Sequence, residues 1–182
     1  MTTLQNFAFY ECIGLTSTLN LPDGLKTIGK SAFAFCSGFN GSLVLPKELT
    51  AIDDRAFLEC TGLTGTLNLP ASLTKIGYEA FYNCTGLTGL VLGNKIVSID
   101  ERGFEGCSNI SGTVVFPLSL EGLGRNAFEG CKKVDAFRFT QTTPIPLEFL
   151  MFPYDATVEV PAWTVYSYKH KWAAGSYNIV GY

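Results

Sequence analysis

Cys12, Cys36, Cys60, Cys84, Cys107 and Cys131 follow one another at spacings of 24, 24, 24, 23 and 24 residues. A period fixed between about 20 and 29 residues marks a solenoid, in which each turn of chain is one supersecondary unit. Other columns keep the same period. Three residues before each cysteine stands Phe9, Phe33, Phe57, Phe81, Phe104 or Phe128, preceded in turn by Ala8, Ala32, Ala56, Ala80, Gly103 or Ala127. Three residues after each stands Leu15, Phe39, Leu63, Leu87, Ile110 or Val134.

Next come apolar pairs separated by one residue: Leu19/Leu21, Leu43/Leu45, Leu67/Leu69, Leu90/Leu92, Val114/Phe116 and Phe137/Phe139. That alternation is strand periodicity. Pro22, Pro46, Pro70 and Pro117 follow four of the pairs and remove a backbone donor, so the strands are short. A second apolar pair, such as Leu25/Ile28 or Leu73/Ile76, supplies an opposite wall. A 24-residue coil cannot bury its own apolar face, so stability requires a neighbour stacked at about 4.8 Å. Six such strands predict a parallel sheet on one face, about 24 Å from first to last strand. The one-residue shortening between Cys84 and Cys107 falls in the loop before the strand, where TGLTGL replaces TGLTGTL. Gly29, Asp53, Gly77, Asp100 and Gly124 read as tight corners, either left-handed or opening a helical turn. The segments that follow, such as KSAFAFC, predict short helical, irregular or 3₁₀ turns with little regular helix.

After Thr140 the period fails. The expected organisation is a repeat array over 1–143, about six repeats of 23–24 residues with the first truncated, and a C-terminal cap over 144–182. In the cap, QTTPIPLEFLMFP suits an irregular wrapping segment, and ATVEVP reads as a last strand. TVYSYKHKWAAG reads as one short amphipathic helix with Val165, Tyr168 and Trp172 on one face and Gly175 just beyond. At the other end the chain enters at NFAFYEC with no strand before it, and the uncapped first coil is a possible dimer contact.

The chain of 182 residues has a net charge of −3, which leaves no basic stripe to neutralise phosphates, so no nucleic-acid partner is expected. No run of about 18 apolar residues and no signal peptide occur, so neither membrane insertion nor targeting is read from the chain itself.

IGKSAFAFCSGFNGSLVLP and IGYEAFYNCTGLTGLVL resemble the BspA-like leucine-rich repeats of bacterial and protozoan surface proteins, over about residues 7 to 139. VEVPAWTVYSYKHKW resembles the segment that commonly closes such arrays. Gly93 and Thr140 depart from the repeat's proline, and Gly103 from its alanine. The resemblance implies an α/β right-handed leucine-rich-repeat horseshoe, dominated by its strands. It also implies a secreted or cell-surface location and adhesion to a host or microbial protein or glycan.

Six cysteines in an exported protein raise the question of disulfides. Stacked equivalents lie close enough, but their side chains point the same way and require the wrong torsion, so buried thiols are expected. Metal binding needs about four ligands converging on a point, whereas a column is a line. The only histidine, His170, lies in the cap, away from any cysteine that it could activate. Asp53/Asp54 and Asp100/Glu101 could be acid–base or calcium-binding pairs, but they share the corner position of Gly29 and Gly77, which favours capping of a short turn. Tyr166 to Trp172 mixes lysines with aromatics and reads as the solvated face of the cap helix. No GxGxxG or P-loop spacing occurs. Sequons at Asn40, Asn83 and Asn109 read as coincidence. No cofactor and no catalytic constellation is expected.

The remaining candidate is the outward face of the strands: Thr18/Asn20, Ser42/Val44, Thr66/Asn68, Gly89/Val91, Thr113/Val115 and Ala136/Arg138. From these, Thr18, Asn20, Ser42, Val44, Thr66, Asn68, Val91, Thr113, Val115 and Arg138 are the candidate partner-binding residues. Only Arg138 is of a type enriched at interaction hot spots. A spacer or accessory domain with no ligand of its own, within a longer surface protein, is the alternative.

Overall fold

In a computed structural model of the chain, residues 2–146, 150–172 and 177–182 are described. They form a strand-dominated parallel β-solenoid of about seven turns with one short helix near the C-terminus. The unbroken sheet is on the wall of the second apolar pair. It consists of two-residue strands: β1 (Thr3–Leu4), β2 (Thr27–Ile28), β3 (Ala51–Ile52), β5 (Lys75–Ile76), β7 (Ser98–Ile99) and β9 (Gly122–Leu123). These pair in parallel in that order, with Leu4, Ile28, Ile52, Ile76, Ile99 and Leu123 in one register. Thr3–Leu4 corrects the expectation that no strand precedes NFAFYEC.

The proline-terminated wall holds β4 (Gly65–Asn68), β6 (Leu87–Val91), β8 (Gly112–Phe116) and β10 (Val134–Phe139), followed by β11 (Thr157–Val160) and β12 (Asn178–Gly181) of the C-terminal region. It is not the single six-stranded sheet expected. One ladder joins β4 to β6, another joins β8, β10, β11 and β12, and Asn20 and Val44 form an isolated bridge. Both coils with six residues from cysteine to the first strand leucine or phenylalanine, those of Cys84 and Cys131, meet a seven-residue neighbour through a register shift. The shifts fall at Gly65/Thr66 and Val134/Ala136, and such a bulge interrupts regular pairing.

The corners are irregular turns with no regular helix, as expected for KSAFAFC and its equivalents. Alternate amides point to different partners. Ser31, Phe33 and Phe35 donate to Asp54, Ala56 and Leu58 of the next coil at 2.7–2.9 Å, while Ala32, Ala34 and Cys36 donate to carbonyls three residues back. Every backbone donor is thus used without the i→i−4 pattern of a helix. The left-handed corner residues are not Gly29, Asp53 or Gly77 but those two positions later, Phe7, Ser31, Arg55, Glu79, Arg102 and Asn126, at φ between 50° and 59°, and a second left-handed column four residues on holds Glu11, Phe35, Glu59, Asn83, Gly106 and Gly130. Gly77 serves close approach instead, since a Cβ there would come within 2.6 Å of the Asp54 amide nitrogen.

The core is a bundle of side-chain columns. The rings of Phe33, Phe57, Phe81 and Phe104 lie 5.2 Å apart and nearly parallel, continued by Phe9 and Phe128 at 5.3 Å. Beside them the free thiols of Cys36, Cys60, Cys84, Cys107 and Cys131 are buried, and Cys12 is half-buried. Each buried thiol donates to the carbonyl of the phenylalanine one coil earlier, as Cys84 Sγ does to Phe57 O at 3.0 Å. Desolvation pushes the Cys60, Cys84, Cys107 and Cys131 thiols well above their ordinary range, which leaves them unreactive.

The C-terminal region covers the last coil. A 3₁₀ turn (Ala162–Thr164) leads into α1 (Val165–Lys171), which buries Tyr168 and, just beyond its end, Trp172, with Val165 half-buried. Tyr168 Oη donates to Gln141 O at 3.2 Å and Trp172 Nε1 donates to Ile145 O at 3.0 Å, so both polar tips are satisfied inside the apolar end. The buried residues are those that the helical period selects. Gly175 lies outside the described residues.

Candidate functional site

Strand alternation turns the leucines inward and the residues between them outward. The expected residues fall into two adjacent columns. One holds Thr18, Ser42, Thr66, Gly89, Thr113 and Ala136; the other holds Asn20, Val44, Asn68, Val91, Val115 and Arg138. The registers Asn20↔Val44, Asn68↔Val91 and Val115↔Arg138 place neighbours of the second column side by side. Thr18, Asn20, Ser42, Val44, Thr66, Asn68, Val91, Thr113 and Val115 are exposed, whereas Ala136 is buried and Arg138 half-buried. Val44, Val91 and Val115 retain 69%, 52% and 43% of their accessible surface, so the middle of this face is apolar as well as amide-bearing. Val91 and Val115, with Leu90, Thr113 and Pro117, line a shallow groove of about 230 Å³.

Arg138, the one candidate of a hot-spot type, is not a free charge. Parallel pairing of β10 with β11 sets it opposite Glu159, whose Oε2 lies 2.6 Å from its Nε, and its guanidinium lies 5.0 Å from the centre of the Tyr182 ring. The residue therefore joins the last coil to the C-terminal strands. Glu159 and Tyr182 continue the face beyond Arg138, an extension missed in the sequence because the irregular segment after Thr140 breaks the count. The alternation in TVEV was the signal that could have placed Glu159.

The acidic pairs do not converge on a site and do not cap a helical turn. Asp54 accepts the Tyr78 amide at 3.2 Å and pairs with Lys30 at 2.9 Å, while Asp100 pairs with Lys75 at 2.9 Å, so they tie neighbouring coils together. Burial raises the Asp53 carboxyl above its ordinary range, and Asp54 beside it adds to the rise. In the left-handed column Glu79 is held between Arg55 Nε at 2.9 Å and Arg102 Nη1 at 3.3 Å. Burial opposes its charge, but Arg55, Tyr78 and Arg102 outweigh it and hold the carboxyl below its ordinary range. All three sequon asparagines are also structural, since the Asn40, Asn83 and Asn109 amides donate to Thr16 O, Glu59 Oε1 and Thr85 O one coil back. Among the described residues no group of three or more histidine, cysteine, aspartate or glutamate side chains is placed to hold a metal ion, and no helix is long and apolar enough to cross a membrane.

Stacked coils of one period, with leucine-lined parallel strands and a closing C-terminal element, define a leucine-rich-repeat protein. The model of the BspA-type leucine-rich repeat region matches residues 2–135 in six copies, and the chain belongs to that family. Among solved structures it is similar to a leucine-rich repeat protein of T. pallidum, with 28% identity and a TM-score of 0.68 over 88% of this chain and 66% of that one. A leucine-rich cell surface protein of Faecalibacterium prausnitzii A2-165 shares 21% identity and a TM-score of 0.62, over all of this chain and 57% of that one. The chain thus spans no more than about two thirds of either structure's length. Among curated proteins nothing matches.

Proposed function

We propose that this chain is a non-catalytic interaction module, displayed at a cell surface or secreted, that engages a protein or glycan macromolecule through the strand face. The observation that carries the reading is the column Asn20, Val44, Asn68, Val91 and Val115. It sets exposed apolar groups alternately with amides on a rigid parallel wall, beside a second column of hydroxyls. Exposed valines cost hydration free energy unless a partner covers them, and the neighbouring amides and hydroxyls supply directional bonds to that partner. The surface location draws support from the likeness to the Faecalibacterium cell surface protein.

The test is retention on two coatings, a soluble extracellular-matrix glycoprotein preparation and purified bacterial cell wall. The wild-type chain should bind one of them. Joint replacement of Asn20, Asn68 and Arg138 by alanine should weaken retention at least tenfold, and Val44→Asp with Val91→Asp should do the same through the apolar positions. Binding that survives both sets of changes places the site off the strand face. Retention on neither coating favours the spacer reading, in which the solenoid only separates other parts of a longer protein.

A further inference from the structure

The coil that follows Cys131 is shorter than those before it, and the shortening opens a cleft in the side of the solenoid. The Phe128 amide donates to Met151 O at 2.8 Å, as the Phe104 amide does to Ala127 O, so Phe152 stands in the phenylalanine column. From that column to the first inward residue of the strand the earlier coils use nine or ten residues, as from Phe128 to Phe137 or from Phe104 to Val114. The register Phe137↔Val158 means that the last coil covers the same path in six, from Phe152 to Val158. The missing residues are those that lie over the segment after the cysteine. In the array Gly62 packs on Ser37 O and Phe39 O, and Gly86 on Thr61 O and Leu63 O, too closely to admit a Cβ. The shortened coil has no such glycine to place over Lys132 O and Val134 O, and Val134 is only half-buried in a column where Leu63, Leu87 and Ile110 are fully buried. A cleft of about 460 Å³ results, with Lys132, Val134 and Asp135 on one side and Tyr154, Asp155 and Thr157 on the other. Chain lies on both sides of it, so the opening is internal to the fold.

We propose that this cleft is a saccharide subsite, which takes a neutral pyranose unit of a polysaccharide. Its volume falls in the range of roughly 300–1,000 Å³ that small-molecule sites occupy. Tyr154 is 72% exposed, and the C–H face of a sugar would cover its ring, with Val134 as a second apolar contact. The polar groups suit hydroxyls, each of which donates one bond and accepts others. The Asp135 and Asp155 carboxylates and Lys132 O accept, while Lys132 Nζ and Thr157 Oγ1 donate. Asp54, Glu79, Asp100 and Glu159 each hold a cation of a neighbouring coil, but among the described residues Glu129, Asp135, Asp155 and Lys132 are in no ion pair and are available to a ligand. Lys133 is turned away, its Nζ donating to Asn109 Oδ1 at 2.7 Å. Asp135 is also peculiar to this coil, for Thr16, Asn40, Thr64, Thr88 and Ser111 occupy its column elsewhere. Three carboxylates against one ammonium make the cleft acidic, which repels uronates and phosphorylated sugars and selects a neutral unit. The cleft lies beside Ala136 and Arg138 but is lined by neither, so binding here is independent of the strand face.

Affinity electrophoresis of the whole chain tests this, through native gels that contain soluble neutral polysaccharides of glucose, mannose or galactose in α or β linkage. At least one should retard the wild-type chain, and an excess of its free monosaccharide should relieve the retardation. Tyr154→Ala and Asp135→Ala, both at exposed positions, should each weaken association by at least about fivefold with an unchanged circular-dichroism spectrum. Asp155→Asn should do the same while keeping a residue type that tolerates the left-handed backbone there, at φ 61°. Val44→Asp on the strand face should leave retardation unchanged. No retardation in any gel overturns the proposal, as does retardation that survives Tyr154→Ala and Asp155→Asn. Loss in Val44→Asp alone overturns it too and puts the saccharide on the strand face instead. Binding of an oligoarginine peptide with none of the polysaccharides retained would assign the cleft to a basic peptide and equally overturn it.

Discussion

Replacing Phe81 by alanine tests the stacked core most directly. Phe81 is fully buried, with Phe57 on one face and Phe104 on the other, each 5.2 Å away and within 7° of parallel. Truncation forfeits the transfer free energy of the ring and leaves a void of about 100 Å³ that is worth about 2.4 kcal/mol at 24 cal/mol per Å³. The total for a buried phenylalanine is about 3–5 kcal/mol. Phe9 is the internal comparison: the same residue in the same column, but 40% exposed and stacked on one side only, 5.3 Å from Phe33. Its truncation should cost about 1–2 kcal/mol, with part of the ring already in water and one stacking partner lost. In a chain of this size 1 kcal/mol moves the melting temperature by about 2–4 °C, so Phe81→Ala should lower it by on the order of 10 °C and Phe9→Ala by much less. Urea unfolding should be followed by far-ultraviolet circular dichroism and by tryptophan fluorescence, since Trp172 is buried at the C-terminal end and reports whether damage at the centre is felt there. Equal losses for Phe9→Ala and Phe81→Ala, or a loss below about 1 kcal/mol for Phe81→Ala, would refute the claim that each ring is stabilised by the coils above and below it.

Thiol titration of the native protein at pH 8 should show one fast group, Cys12, and five that react only on unfolding, because burial raises the inner thiols while Cys12 is half-exposed; two or more fast thiols would contradict the column. The two carboxylate environments predict opposite signs. The depressed Glu79 carboxyl contributes stability above its unfolded value of about 4.3, lost as pH falls through its lower folded value, whereas the raised Asp53 carboxyl costs stability at neutral pH and ceases to do so in acid. Glu79→Gln should therefore destabilise at pH 7 by about 1 kcal/mol and Asp53→Asn should stabilise by a similar or smaller amount, both differences shrinking towards pH 3; same-sign effects in urea melts would show that the charge assignments are wrong.

Whatever repeats in this chain could be read from its sequence, because six copies of a column average out local accident. The period fixed the phenylalanine, thiol and leucine columns, and strand alternation fixed which residues face outward. The helix that buries Tyr168 and Trp172 followed from its own 3.6-residue period. Three things escaped for definite physical reasons. The unbroken sheet on the Leu25/Ile28 side was not legible because its strands of two residues are too short to show alternation. The left-handed positions carry phenylalanine, serine, arginine, glutamate and asparagine, with glycine only at Gly106 and Gly130, a mixture with no shared signature, and their conformation is imposed by the hydrogen bonds to the next coil. The contacts of Arg138 with Glu159 and Tyr182 cross from the array to the C-terminal strands and have no counterpart in any other coil.

That last distinction bears on how such a molecule can be specific. A column residue occurs at nearly the same place in every coil, so a face built only from columns offers a partner the same contact at each level and cannot by itself fix where along the solenoid the partner sits. Register has to come from residues that occur once. Here Arg138, paired with Glu159 and stacked on Tyr182, is such a residue, at one end of the strand face. On the proposed strand-face reading, the uncharged threonine, asparagine and valine columns supply area and hydrogen bonds, and Arg138 decides alignment. It follows that Arg138→Ala should cost a bound partner more in selectivity among related ligands than the Asn20 and Asn68 replacements do, although each asparagine is the more exposed side chain.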